Sequence, residues 1–88
     1  MIERVVTVSN RAGIHARPAA VLVRAINGFA CTIQLTRDTY TVNAKSIMSV
    51  ITLGAPYGAQ LTVKVDGPDE QDAIDTIVRL FESKFTED

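Results

Sequence analysis

Residues 31–43 read Cys-Thr-Ile-Gln-Leu-Thr-Arg-Asp-Thr-Tyr-Thr-Val-Asn. Cys31, Ile33 and Leu35 alternate with Thr32, Gln34 and Thr36, the two-residue period of a strand with one apolar face. Asp38-Thr39 makes a tight turn into a second extended run, Tyr40 to Asn43. Strands joined by so short a turn lie antiparallel. An alternating strand buries one side only and leaves the other to water or a partner. The pattern predicts α+β architecture: helices packed on one side of a mainly antiparallel sheet.

The flanking sequence supplies the other elements. Ile2 to Val8 reads as a strand with Ile2, Val6 and Val8 on one face, Arg4 breaking that face as an edge strand would. Ser9-Asn10-Arg11-Ala12-Gly13 is a loop. Ala16 to Asn27 reads as a helix, with Pro18 in its first turn, Gly28 expected in a left-handed conformation after its end, and Ala19, Leu22, Val23 and Ile26 as its core stripe. Ser46 to Leu53 reads as a short helix that Ser46 caps and Gly54 closes. Leu61, Val63 and Val65 mark a fourth strand. Gly67-Pro68-Asp69-Glu70 opens a last helix, with Ile74, Ile77, Val78, Phe81 and Phe85 on its buried face. The order is βαββαβα, in a single domain over residues 1–88.

Composition narrows the function. The formal net charge is −1, so no basic field exists to hold nucleic acid. No apolar run approaches the roughly 20 residues of a membrane span, and residues 1–4 lack the pattern of a signal peptide. Cys31 is the only cysteine and cannot form an internal disulfide, which favours a reducing, cytoplasmic setting.

His15 is the only histidine, and it stands where the glycine-containing loop meets the first helix. Unpaired amides of a first helical turn and the helix dipole favour an anion there. Arg17 adds a permanent cation whose donors match phosphate oxygens. A neutral imidazole is nucleophilic near neutral pH. A nucleophile beside an anion cradle suits a phosphoryl carrier. No segment resembles a nucleotide site, so the donor would be another phosphoprotein. The same residues also fit a plain surface or capping histidine. Ser46 is likewise fully explained as a cap. Ala16, Ala20 and Val21 lie off the core face of the first helix, beside Arg17 and Arg24. Ile47, Met48, Val50 and Ile51 exceed what one face of the short helix can bury; Val50 and Ile51 read as core, Met48 as a docking residue.

The run Asn10 to Ala20, Asn-Arg-Ala-Gly-Ile-His-Ala-Arg-Pro-Ala-Ala, resembles the active-site signature of the histidine-containing phosphocarrier (HPr) family of the bacterial phosphoenolpyruvate:sugar phosphotransferase system. Val42 to Val50, Val-Asn-Ala-Lys-Ser-Ile-Met-Ser-Val, followed by Leu53-Gly54, is similar to that family's regulatory-serine segment. The resemblance runs the length of the chain. It implies an open-faced sandwich of four antiparallel strands and three helices. It implies that His15 takes phosphate on Nδ1 from enzyme I, with Arg17 as its electrostatic partner, and passes it to IIA domains of sugar permeases. Ala16, Ala20, Arg24, Ile47 and Met48 would form the docking surface. Ser46 would be a substrate of an ATP-dependent HPr kinase/phosphorylase, its phosphate weakening docking to an acidic partner. Such a carrier is a monomer without cofactor or metal, and not an independent catalyst. The sequence departs from the family in the 37–40 turn, which lacks the glycine often found there, and at Ser49, where relatives carry glycine or lysine. Two other functions remain open: a regulatory, nitrogen-type phosphoprotein signalling metabolic state, and a small ligand-binding domain without covalent chemistry.

Overall fold

The computed structural model describes residues 1–86. Its elements are β1 (Ile2–Thr7), α1 (Ala16–Ile26), β2 (Thr32–Arg37), β3 (Tyr40–Asn43), α2 (Ile47–Leu53), β4 (Gln60–Asp66), α3 (Glu70–Glu82) and a short turn, Lys84–Thr86. The four strands form one sheet in the order β1-β4-β2-β3, antiparallel throughout. The three helices cover one face. The fold is the open-faced α+β sandwich that the alternating strands predict.

The alternation is realised residue by residue. Val6, Val8, Ile33, Leu35, Leu61, Val63 and Val65 are buried beneath Ala19, Leu22, Val23 and Ile26 of α1 and Ala73, Ile74, Ile77 and Phe81 of α3. The other sheet face is mainly polar, with Val5 exposed on it. There Thr36 and Thr41 share a hydroxyl hydrogen bond of 2.8 Å, and Lys64 sits 3.8 Å from Glu3. β1 is an edge strand, which accounts for Arg4. Arg4 pairs with the fully buried Val63 yet is itself exposed.

Two expectations are corrected. Gly28 does not adopt a left-handed conformation. Asn27 remains right-handed at φ −61°, and the Phe29 amide donates to the Ile26 carbonyl at 3.1 Å, so α1 runs out in a right-handed turn that needs no glycine geometry. Phe85 is buried but is not part of α3, which ends at Glu82. Lys84, Phe85 and Thr86 have φ of 58°, 54° and 59°, and this left-handed turn swings the Phe85 ring edge-on to Phe81 at 4.8 Å. Val78 is only half-buried, whereas Ala73 lies in the core.

The turn from β4 into α3 docks on the start of β2. Asp69 precedes α3 without capping it; its carboxylate accepts the Ala30 amide at 2.7 Å and the Cys31 amide at 2.9 Å. The Ala30 hydrogen bond, followed by that from Cys31, holds the Asp69 carboxyl below its ordinary value of 3.8. The folded state therefore binds this proton less readily than the unfolded state. Its stabilising contribution is complete above pH 3.8 and is lost as the pH falls through the depressed folded value. Asp69→Asn is expected to lower stability at neutral pH and to flatten the acid limb of the stability curve. Urea melts of both proteins across the acid range check this; parallel acid limbs would refute it.

Candidate phosphoryl site

The site is built from a loop that has little freedom. The Val8 amide donates to the Ala59 carbonyl at 2.9 Å, and the Gly58 amide returns a bond to the Val8 carbonyl at 2.8 Å. Asn10, fully buried, donates its side-chain amide to the Gly13 carbonyl at 2.7 Å, while the Gly13 amide donates to the Asn10 carbonyl at 3.0 Å. Ser9 donates its hydroxyl to the Phe81 carbonyl at 2.9 Å, tying the loop to the end of α3. Gly13 has φ +74°, and a Cβ there would stand 2.8 Å from the Ala55 carbonyl oxygen, so no other residue fits without displacing the loop. Ile14 is buried, and its amide donates to that Ala55 carbonyl at 2.8 Å.

His15 follows this anchor and is exposed. It is the N-cap of α1, in extended backbone with φ −104° and ψ −163°, and its side chain does not cap the helix. The Ala19 amide donates to the His15 carbonyl at 3.0 Å and closes the first turn. Ala16 and Arg17 precede that closure, and Pro18 has no N–H. The amides at the mouth of the helix, beside the imidazole, are therefore those of Ala16 and Arg17. Their N–H groups form the positive end of the helix dipole. Arg17 is exposed, and the buried Pro18 fixes the direction in which the turn begins.

Ala16, Ala20 and Arg24 recur every fourth residue along α1, with Ala16 and Arg24 exposed and Ala20 half-buried. α1 packs against α2. At the start of α2, Ile47 is 40% and Met48 68% exposed, while Val50 is buried and Ile51 is packed partly against the core. Ser46 caps α2: its Oγ accepts the Ser49 amide at 3.3 Å, and Gly54 ends the helix in a left-handed conformation at φ 67°. Asn10, Gly13 and Ala55 are the site residues whose roles sequence reasoning did not assign. The available signal was a buried-type glycine three residues after an asparagine, which only the 54–59 loop explains.

Among the described residues no helix is long and apolar enough to cross a membrane. Among them also, no group of three or more His, Cys, Asp or Glu side chains could hold a metal ion.

Comparison with known proteins places this layered α+β domain among the small phosphocarriers. The family described as PTS HPr component phosphorylation site matches residues 2–83. Phosphocarrier protein HPr of Treponema pallidum is 51% identical over 88 residues, covering 100% of both chains. Phosphocarrier protein NPr of Proteus mirabilis is 38% identical over 86 residues, covering 97% of this chain and 96% of its own. The crystal structure of HPr-C-His from Thermoanaerobacter tengcongensis superposes with a TM-score of 0.95 at 41% identity, covering 100% of this chain and 99% of that one. This chain belongs to the HPr family of phosphocarriers of the phosphotransferase system.

Proposed function

We propose that residues 1–88 act as a single domain that carries a phosphoryl group on His15, taking it from phosphorylated enzyme I and giving it to IIA domains of sugar permeases in the cytoplasm. The observation that carries this reading is the placement of His15: an exposed helix N-cap whose ring is not spent on capping. In the acceptor step the Nδ1 lone pair attacks the phosphorus of the donor phosphohistidine. The new N–P bond forms as the donor N–P bond breaks, and the donor imidazole leaves with its electron pair. The Ala16 and Arg17 amides and the Arg17 guanidinium stabilise the transferring oxygens, and the return step runs the same chemistry with the IIA acceptor. Because the imidazole is at the surface, both donor and acceptor reach it without an opening motion. The docking surface is Ala16, Ala20, Arg24, Ile47 and Met48, a small apolar patch with an arginine on it, which suits an acidic, transient partner. The test is labelling: purified protein, enzyme I and phosphoenolpyruvate are expected to give an acid-labile, base-stable phosphate. A competent enzyme I that leaves this protein unlabelled rejects the reading.

Likeness to a nitrogen-type carrier favours a second reading, in which the same chemistry reports metabolic state. Comparing the rates of phosphorylation by sugar-type and nitrogen-type enzyme I separates the two.

Ser46 is the proposed regulatory site, a substrate for HPr kinase/phosphorylase. A phosphate there brings about −2 of charge next to Ile47 and Met48 without removing the helix cap's acceptor oxygens. Ser46→Asp is expected to raise the KM for enzyme I about tenfold, with kcat nearly unchanged. Identical KM values for wild type and variant in steady-state transfer assays would remove the switch.

A further inference from the structure

Arg37 ends β2 and reaches across to α2. Its Nη1 donates to the Leu53 carbonyl at 3.2 Å and to the Gly54 carbonyl at 3.1 Å. α2 has no basic residue in its last turn, so this guanidinium from another element supplies the positive charge for its negative end. Nη1 lies over Gly54, 3.7 Å from the position a Cβ would take there, at ordinary contact distance. The next residue, Ala55, is buried, and its carbonyl is the one that accepts the Ile14 amide at 2.8 Å and against which Gly13 is packed. Ile14 is the residue before His15.

Arg37 is thus connected to the His15 loop through one continuous run of carbonyls, 53 to 55, although it is distant in sequence. We propose that Arg37 is a positioning residue for phosphoryl transfer: by fixing the 53–55 carbonyls it fixes Ile14, and with Ile14 the extended N-cap backbone that presents the imidazole beside the Ala16 and Arg17 amides. It touches neither the phosphate nor the imidazole. The inference rests on the reading of His15 as the phosphoryl acceptor. Its physical basis is that reacting groups must be held to a fraction of an ångström, and a misplacement of about 1 Å can cost roughly 100-fold in rate.

The experiment compares wild type, Arg37→Met and Arg37→Lys. Methionine keeps a long apolar stem and removes the donors. Lysine restores a cation, and because Nη1 alone serves both carbonyls, a single ammonium can replace it. Two quantities are measured: hydrogen exchange of the Ile14 amide by NMR, and kcat and KM for phosphoryl transfer from enzyme I. Arg37→Met is expected to exchange the Ile14 amide about tenfold faster and to lower kcat about tenfold with KM little changed; Arg37→Lys is expected to recover most of both. An unchanged kcat in Arg37→Met overturns the proposal even if its thermal stability falls. A raised KM with kcat and Ile14 exchange unchanged also overturns it, since Arg37 would then be a docking residue. A wild type that takes no phosphate overturns the His15 reading itself, whereas a labelled wild type with an equally fast Arg37→Met overturns only the role of Arg37.

Discussion

His15→Ala is expected to take no phosphate from enzyme I and phosphoenolpyruvate while keeping the fold of the wild type. The loss is complete because the chain has one histidine and the chemistry needs an imidazole lone pair. The fold survives because the side chain is exposed and lies outside the buried core. The hydrogen bonds of the Gly13 and Ile14 amides that shape the loop run from main chain to main chain. The measurement pairs acid-quenched phosphate labelling with a thermal melt. Residual base-stable label on the variant would place the phosphate elsewhere. A large drop in melting temperature would mean that the ring is structural, and the loss of label would then say nothing about chemistry.

Gly67→Ala is expected to be the most destabilising single-methyl change in the protein. Gly67 has φ +153°, a conformation that side-chain-bearing residues rarely adopt, and a Cβ there would lie 2.6 Å from the Cys31 Cα and 2.7 Å from its Cβ. Both contacts are to the chain of a buried residue at the mouth of β2, so neither can be relieved by rotating a flexible side chain. The turn would have to lift away, and Asp69 would lose the Ala30 and Cys31 amides as it did so. Backbone strain and the collision with Cys31 by themselves suggest about 3 kcal/mol. For a domain of this size that is a fall of roughly 12–24 °C in Tm, against a total stability of about 5–15 kcal/mol. Calorimetry checks the figure, and a variant melting within a few degrees of wild type would show that the turn accommodates a side chain. Gly28 is the matched control: nothing lies within 4 Å of its Cβ position, so Gly28→Ala tests the same substitution without the collision.

The features legible in the sequence are those set by local chemistry. The Ser46 cap and the Gly54 left-handed close are both present, because capping and helix termination involve residues only a few positions apart. The same reasoning failed at Gly28, where a right-handed continuation was available and the chain took it. It failed at Phe85 because the spacing from Phe81 is helical, while the actual contact between the rings is made by a left-handed turn after the helix has ended. Asp69 read only as part of the opening of the last helix; in the structure two amides on a distant segment claim its carboxylate. On α2 the reading of Val50 as core and Met48 as lying off it holds, since Met48 is exposed where Val50 is buried, whereas the docking role came from the family resemblance.

The sequence alone determined the order of the elements, the apolar face of each strand and helix, and the presence of a single histidine at the start of a helix. These follow from period, propensity and end chemistry, which act within a few residues. Tertiary structure alone decided that β4 lies between β1 and β2, that Ala55 receives the Ile14 amide, and that Arg37 closes α2 from another strand. Those pairings join residues far apart in the chain, so they are fixed by which surfaces can be buried together and which backbone groups are left needing a partner, and no local signal carries them.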